Sequence, residues 1–190
     1  DGSFILTGEK MWITNGGFAD IYIVFAKVDG EHFTAFIVER AFNGVSSGQE
    51  ECKMGLHGSS TTPVILQDVK VPAENLLGTV GKGHKVAFNV LNYGRFKLAA
   101  STAGSSQAAL GEAARYAAER RQFGHALADF QAVQFKLADM ATALESSRLM
   151  IHKAAAQLDA GAADATLVSA MAKRLATDAG FEVCNEALQL

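Results

Sequence analysis

Apolar positions recur along this chain with two different periods, and the change of period falls near Pro72. Before it, short apolar runs are bounded by turn-forming residues: Phe4 to Leu6, Met11 to Thr14, Ile21 to Ala26, Phe33 to Val38, and Pro63 to Val71. Their β-branched and aromatic content predicts strands, and Asp29-Gly30 between two such runs predicts a hairpin turn. From Lys85 onwards there is no proline, alanine is dense, and apolar residues return at helical spacing, as in Phe130, Val133, Leu137, Met140, Ala141 and Leu144. This predicts helices from about Lys85 to Gln122, from about Phe130 to Asp159, and from near Ala163 with Asp164 in the first turn. Phe123-Gly124 and Gly161 separate them.

Strands followed by helices, rather than alternating with them, predict an α+β chain. The expectation is an antiparallel β-barrel or sandwich-like domain over residues 1–72, a glycine-marked linker over 73–84, and an antiparallel α-helical bundle over 85–190. The opening DGSFILTGEK reads as the middle of a sheet, and the closing NEALQL as a helix without a cap. The chain is therefore expected to be an interior piece of a longer protein, with the bundle truncated.

Three stretches carry candidate chemistry. In KMWITNGG, Trp12 and Thr14 lie two apart, so a regular strand points both to one face, with Met11 and Ile13 on the other. A flat ring and a hydroxyl would share one side, anchored by hydrocarbon behind, before Asn15-Gly16-Gly17 ends the strand. A core tryptophan beside a surface threonine would give the same pattern. In ERRQFG, two arginines, an amide and an aromatic close the first helix, and Phe130-Gln131 opens the next. Such a cluster can clamp a phosphate diester, although arginines near a helix C-terminus also complement its dipole. In NVLNYGRF, Gly94 interrupts a helix at a cost of about 1 kcal/mol relative to alanine, which implies close approach by a neighbouring helix or a ligand. Arg95 beside it is either a bundle ion pair or a ligand contact.

Composition removes several alternatives. With 190 residues and 49% hydrophobic content the chain can bury a core, and a net charge of -3 offers no electrostatic case for nucleic acid. Cys52 and Cys184 are far apart, which fits a reducing, intracellular setting. His32, His57, His84, His125 and His152 are scattered without metal-ligand spacing, so no metal site is expected. No apolar run approaches the roughly 20 residues of a membrane span. GKGHK ahead of a helix has the glycines of an anion cradle but lacks the Walker pattern, and Ser59-Ser60-Thr61-Thr62 reads as a hydroxyl-rich turn.

Taken in order, GEKMWITNGG, ADIYIVFAK, FTAFIVER, KMGLHGSST, VKVPAENLLG, GKGHKVAFNVLNYGRF, ERRQFG, FQAVQFKLADM and EALQL resemble the acyl-CoA dehydrogenases along the whole chain. WITNGGFADIYIVFAK and VLNYGRF are most similar to the very-long-chain branch. The resemblance implies a middle β domain followed by most of the C-terminal helical domain, with FAD lying between the two and completed by a second subunit. Trp12, Ile13 and Thr14 would then meet the isoalloxazine, with Thr14 bonding near flavin N5. Arg120, Gln122 and Phe123, with Phe130, Gln131 and Gln189, would hold the FAD of a neighbouring subunit. Asn92, Tyr93, Gly94 and Arg95 would face the acyl-CoA. Phe130 stands where many members carry a histidine.

The resemblance further implies desaturation of a long or very long fatty acyl-CoA, electrons passed to an electron-transfer flavoprotein, and a homodimer or homotetramer in a bacterial cytoplasm or mitochondrial matrix. Rival functions are an acyl-CoA oxidase, an assembly partner for respiratory complexes and a DNA-binding relative. The DNA-binding reading needs a basic patch that the net charge disfavours. Family members remove the substrate α-proton with a glutamate, either in a motif after the point where this chain stops or immediately before the arginine equivalent to Arg95. The second position here is Gly94, so this chain contains no base by either route. Residues 1–190 alone are therefore expected to show no acyl-CoA dehydrogenase activity in a dye-reduction assay, and turnover by them would contradict this account of the base.

Overall fold

The computed structural model describes residues 2–190, which form two compact units, residues 2–88 and 89–190. The first holds two three-stranded antiparallel sheets. One has the order β1 (Ser3–Thr14), β5 (Thr61–Pro72), β4 (Val45–Ser47); the other has the order β2 (Ile21–Val28), β3 (His32–Glu39), β6 (Leu76–Leu77). Neither closes into a barrel, so of the two expected β architectures the sandwich-like one is present. Alternation drives the packing: Tyr22 and Val24 of β2 are buried while Ile21 and Ile23 face outward. They join Leu6, Phe36, Val38, Val64 and Val71 in one core drawn from both sheets, with the Phe4 and Phe36 rings edge-on at 5.0 Å.

Two bulges break the simple alternation. Leu6 pairs with Val69 and Gly8 with Leu66, so Gln67 and Asp68 oppose Thr7 alone. Thr7 Oγ1 donates to the Asp68 carboxylate at 2.8 Å and accepts from the Asp68 N–H at 3.1 Å. This extra residue is why the buried set on β5 changes phase, from Val64 and Leu66 to Val69 and Val71. The second bulge sets Met11 and Trp12 opposite Pro63, between the pairs Lys10–Val64 and Ile13–Thr62. Proline has no N–H to donate, so the ladder loses nothing by being interrupted there. Ile13 still packs against the core, but Met11 is exposed, so the expected anchor of Met11 with Ile13 is corrected to Ile13 alone. The short strands β4 and β6 carry too few alternating residues to be read from the sequence.

The Asp29-Gly30 turn is a three-residue connection between Val28 and His32, with Asp29 and Gly30 both left-handed. GKGHK is fastened to β3: the Gly81 N–H donates to Thr34 Oγ1 at 3.0 Å, and a Cβ on Gly83 would sit 2.9 Å from the Thr34 carbonyl carbon. Its glycines serve this packing, and the Gly81 amide is already used.

The helices are α1 (Gly83–Glu119), α2 (Gln131–Asp159) and α3 (Ala165–Leu188), with Asp164 just before α3 rather than in its first turn. In the second unit, Lys136 early in α2 pairs with Glu186 late in α3, while Asn92 early in α1 bonds Thr166 early in α3 at 2.8 Å. The three run up, down and up. Ala99, Ala103, Leu144, Ile151, Ala154, Val168, Ala172 and Ala176 form the shared core, and its small residues let the helices approach closely. The tightest point is Gly180, where an added Cβ would lie 2.2 Å from Thr102 Cγ2 and 3.0 Å from Ser106 Oγ. Gly180→Ala is expected to destabilise the chain by about 1–3 kcal/mol through overpacking, read from chemical denaturation, while Gly104→Ala, with open space around it, leaves stability unchanged or higher.

Candidate functional site

In the first unit the candidate residues sit at the end of β1. The bulge turns Trp12 outward, leaving it 70% exposed with a φ of 54°, a conformation that is costly for a bulky side chain, on the order of 1–3 kcal/mol. Asn15 is also left-handed, at 62°, so Ile13 and Thr14 are held between two residues of unusual backbone geometry. Thr14 pairs with Thr61 and is exposed. Trp12 and Thr14 therefore both reach solvent, although the bulge and not strict alternation puts them there. A cavity of about 400 Å³ is lined by Lys10, Ile13, Thr14 and Asn15 together with residues of β2. Lys10 Nζ donates across it to the Phe25 carbonyl at 2.9 Å.

The turn that follows is the most heavily bonded feature of this unit. The Gly16 carbonyl accepts from Arg40 Nη2 at 2.7 Å, Ser47 Oγ at 2.6 Å and Tyr22 Oη at 3.0 Å. Arg40 Nε donates to the Ala19 carbonyl at 2.7 Å, and its guanidinium lies 5.6 Å from the Tyr22 ring centre. Gly16 must be glycine, since a Cβ would stand 2.6 Å from the buried Thr62 Oγ1. None of Arg40, Tyr22 or Ser47 stands out in sequence: Arg40 and Ser47 reach the turn from distant segments, and Tyr22 from the strand that follows it.

In the second unit ERRQFG is not simply a helix end. Arg121–Gln122 (β7) and His125–Ala126 (β8) pair as a minimal hairpin, with Phe123 at φ 53° and Gly124 at 84° as its two-residue turn. Left-handed residues at both positions are what such a turn demands, and glycine supplies one at no cost. Phe123 is 90% exposed at the tip. Hydrogen bonds carry the chain from this hairpin into α2: the Leu127 N–H donates to the Arg120 carbonyl and the Phe130 N–H to the Leu127 carbonyl. Phe130 precedes α2 with no side-chain cap, and its carbonyl accepts from the Val133 and Gln134 N–H groups, so the amides of the exposed Gln131 and Ala132 keep their donor capacity. Arg120, Arg121 and Gln122 are exposed, and among the described residues neither arginine has an ion-pair partner. The fold thus gathers Arg120, Gln122, Phe123, Phe130 and Gln131 at one end of the bundle. Gln189 lines a separate cavity of about 600 Å³ with Glu112, Tyr116 and Cys184.

Along α1, Arg95 Nη1 donates to Asn92 Oδ1 at 2.9 Å, and Asn92 Nδ2 to Thr166 Oγ1 at 2.8 Å. Arg95 is thus half-buried against a neutral amide, and among the described residues it has no ion-pair partner. Tyr93 is exposed on the same stretch. A Cβ on Gly94 would meet nothing within 4 Å, so close helix approach does not explain this glycine; Gly180 is where helices touch. Among the described residues no group of His, Cys, Asp and Glu could hold a metal, and no helix is long and apolar enough to cross a membrane.

Two family models divide the chain between them: the acyl-CoA dehydrogenase middle domain matches residues 1–69, and the acyl-CoA dehydrogenase C-terminal domain matches residues 81–190. The chain belongs to the acyl-CoA dehydrogenase family. Its relatives include a short-chain specific acyl-CoA dehydrogenase from Megasphaera elsdenii, 47% identical over 194 residues that cover 100% of this chain and 50% of that protein. The butyryl-CoA dehydrogenase structure from the same organism superimposes with a TM-score of 0.92 at 47% identity, again over 100% of this chain and 50% of that one. A mitochondrial very long-chain specific acyl-CoA dehydrogenase of Rattus norvegicus is 42% identical over 196 residues, 98% of this chain and 30% of that protein. An acyl-CoA dehydrogenase from Bacillus anthracis, solved in complex with FAD, matches with a TM-score of 0.78 and 40% identity over 98% of this chain and 34% of that one. The chain spans about half the length, or less, of the relatives it matches.

One electrostatic feature beside the cofactor-strand candidate is distinct. Glu50 accepts from Ser60 Oγ at 2.5 Å and from the Thr61 N–H at 2.9 Å, and these bonds hold its carboxyl below the usual range, with Lys53 adding a smaller effect. A depressed folded value contributes stability that is complete above the unfolded pKa, about 4.3, and is lost as pH falls through the folded value. In an NMR titration Glu50 is expected to protonate below that reference, and Ser60→Ala to raise its midpoint; an unmoved midpoint would remove the Ser60 bond as the main cause.

Proposed function

We propose that the full-length protein is an FAD-dependent acyl-CoA dehydrogenase that desaturates long or very long fatty acyl-CoA thioesters at the α,β position and passes electrons to an electron-transfer flavoprotein. The observation that carries this is the pairing of an outward-turned aromatic ring with a hydroxyl, Trp12 and Thr14, on a strand end held in strained geometry. The donor set in the second unit supports it. Arginines without an ion-pair partner among the described residues, an amide and an uncapped helix start suit a diphosphate, and in the first unit the exposed ring of Trp12 suits a flat cofactor. The chain's residues therefore fit FAD.

Trp12, Ile13 and Thr14 would hold the isoalloxazine, and Arg120, Gln122, Phe123, Phe130, Gln131 and Gln189 the FAD of a neighbouring subunit in a homodimer or homotetramer. When bound, FAD supplies the acceptor for the hydride that leaves the substrate β-carbon. The thioester would lie along Asn92, Tyr93, Gly94 and Arg95, where the open space over Gly94 admits substrate and the Asn92–Arg95 pair orients it. Gly94 has no side chain to take the α-proton, so that task falls to a glutamate beyond Leu190. The exposed apolar residues Phe88, Leu91, Leu98, Leu167 and Phe181 support further packing partners for these helices. A bacterial cytoplasm or mitochondrial matrix is the compartment that goes with this activity.

The test is the purified full-length protein, assayed for bound flavin and for reduction of electron-transfer flavoprotein across a series from butyryl-CoA to long-chain acyl-CoA. Bound FAD and fastest turnover with long chains are expected. Trp12→Ala or Arg120→Gln should weaken FAD binding by about tenfold or more. A colourless, inactive protein would contradict the activity, and preference for butyryl-CoA would contradict the chain length.

A further inference from the structure

The Gly16 carbonyl receives three donors, one more than the two lone pairs of a carbonyl oxygen ordinarily serve. The strongest of the three comes from Arg40, which also grips the Ala19 carbonyl, so one planar guanidinium spans both ends of the turn Gly16 to Ala19. Among the described residues no carboxylate pairs with Arg40; its charge is met by the Gly16 and Ala19 carbonyl oxygens, the Ser47 hydroxyl at 3.5 Å and the Tyr22 ring. A charged fork half-buried against neutral acceptors is a costly way to close a turn that glycines already permit. What the turn fixes is the left-handed Asn15, whose N–H donates to the Ser60 carbonyl at 2.9 Å and whose own carbonyl accepts from Phe18 and Ala19. Asn15 in turn sets the direction in which Thr14 leaves the strand.

We propose that Arg40, with Ser47 and Tyr22, is a positioning residue for the cofactor strand: by clamping the Gly16 carbonyl it fixes the orientation in which Thr14 presents its hydroxyl and Trp12 its ring. Arg40 bonds the Gly16 and Ala19 carbonyls and the Ser47 hydroxyl, and so acts through the turn. The role rests on the reading of Trp12 and Thr14 as flavin contacts. It also specifies chemistry: lysine keeps the charge but cannot reach two carbonyls in one plane, so Arg40→Lys behaves as a loss.

The experiment uses the full-length protein with Arg40→Met, Arg40→Lys, Ser47→Ala and Tyr22→Phe, reading the FAD dissociation constant, the visible absorption bands of the bound flavin, and the thermal midpoint. Both Arg40 variants are expected to weaken FAD binding by about tenfold and to shift the flavin bands, with smaller changes in the same direction for Ser47→Ala and Tyr22→Phe. The latter two each remove one donor and retain the fold, so the test survives if an Arg40 variant does not fold. Unchanged FAD affinity and bands, with only a lowered thermal midpoint, would overturn the proposal and leave Arg40 as a purely structural clamp. A wild-type protein that binds no FAD would overturn the functional reading itself, a different failure from wild-type binding that the variants leave untouched.

Discussion

The first unit depends on a single oxygen atom. The Gly16 carbonyl draws together the residue just after β3 through Arg40, β4 through Ser47 and β2 through Tyr22, and it does so at the turn where β1 ends. An interior carbonyl left without donors would be costly, and a cationic one is stronger than a neutral one, so these bonds resist rearrangement. The strain upstream, at Trp12 and Asn15, persists because the surroundings over-determine it. A bulge opposite Pro63 and a clamp on the far side of Thr14 leave three residues, Trp12 to Thr14, little freedom to turn.

The second unit is built on a different constraint, close approach of helices over small side chains. Ala99, Ala103, Ala154, Ala172 and Ala176 fill its core, and Gly180 marks the closest contact. Such packing buries less area per residue than a leucine-rich bundle but fixes helix positions sharply, because there is no flexible side chain to give way. The hairpin of Phe123 and Gly124 and the uncapped start of α2 stand at the end of that rigid support. Recognition groups placed on such elements are held more firmly than groups on long loops.

How much of this the sequence carried follows the range of the interactions involved. Element order was legible because strand and helix periods are local properties, and the Asn15-Gly16-Gly17 stop and the Phe123-Gly124 break were legible because glycine marks them. The bulge at Met11 and Trp12 was not, since alternation assumes an unbroken ladder and its cause, Pro63, lies on another strand. It left Met11 exposed where strict alternation had made it an anchor. Gly94 implies close approach by a helix or a ligand, and the structure removes the helix, since the glycine that meets a neighbouring helix is Gly180; both interrupt a helix, and only the three-dimensional neighbours tell them apart. Arg40 was invisible as a functional candidate for the same reason: its partners Gly16 and Ala19 are more than twenty positions away in the chain. The candidate contacts at Trp12, Thr14 and Arg120 came from ordered motifs and a family resemblance, not from periodicity.

The strand end at Trp12 to Thr14 is proposed to hold a flavin. A crystal structure of the full-length protein with FAD tests it most directly. The isoalloxazine is expected against the Trp12 ring, with the Thr14 hydroxyl in hydrogen-bond contact with it and Asn15 still left-handed. A flavin bound elsewhere, with Trp12 and Thr14 facing solvent, would contradict it.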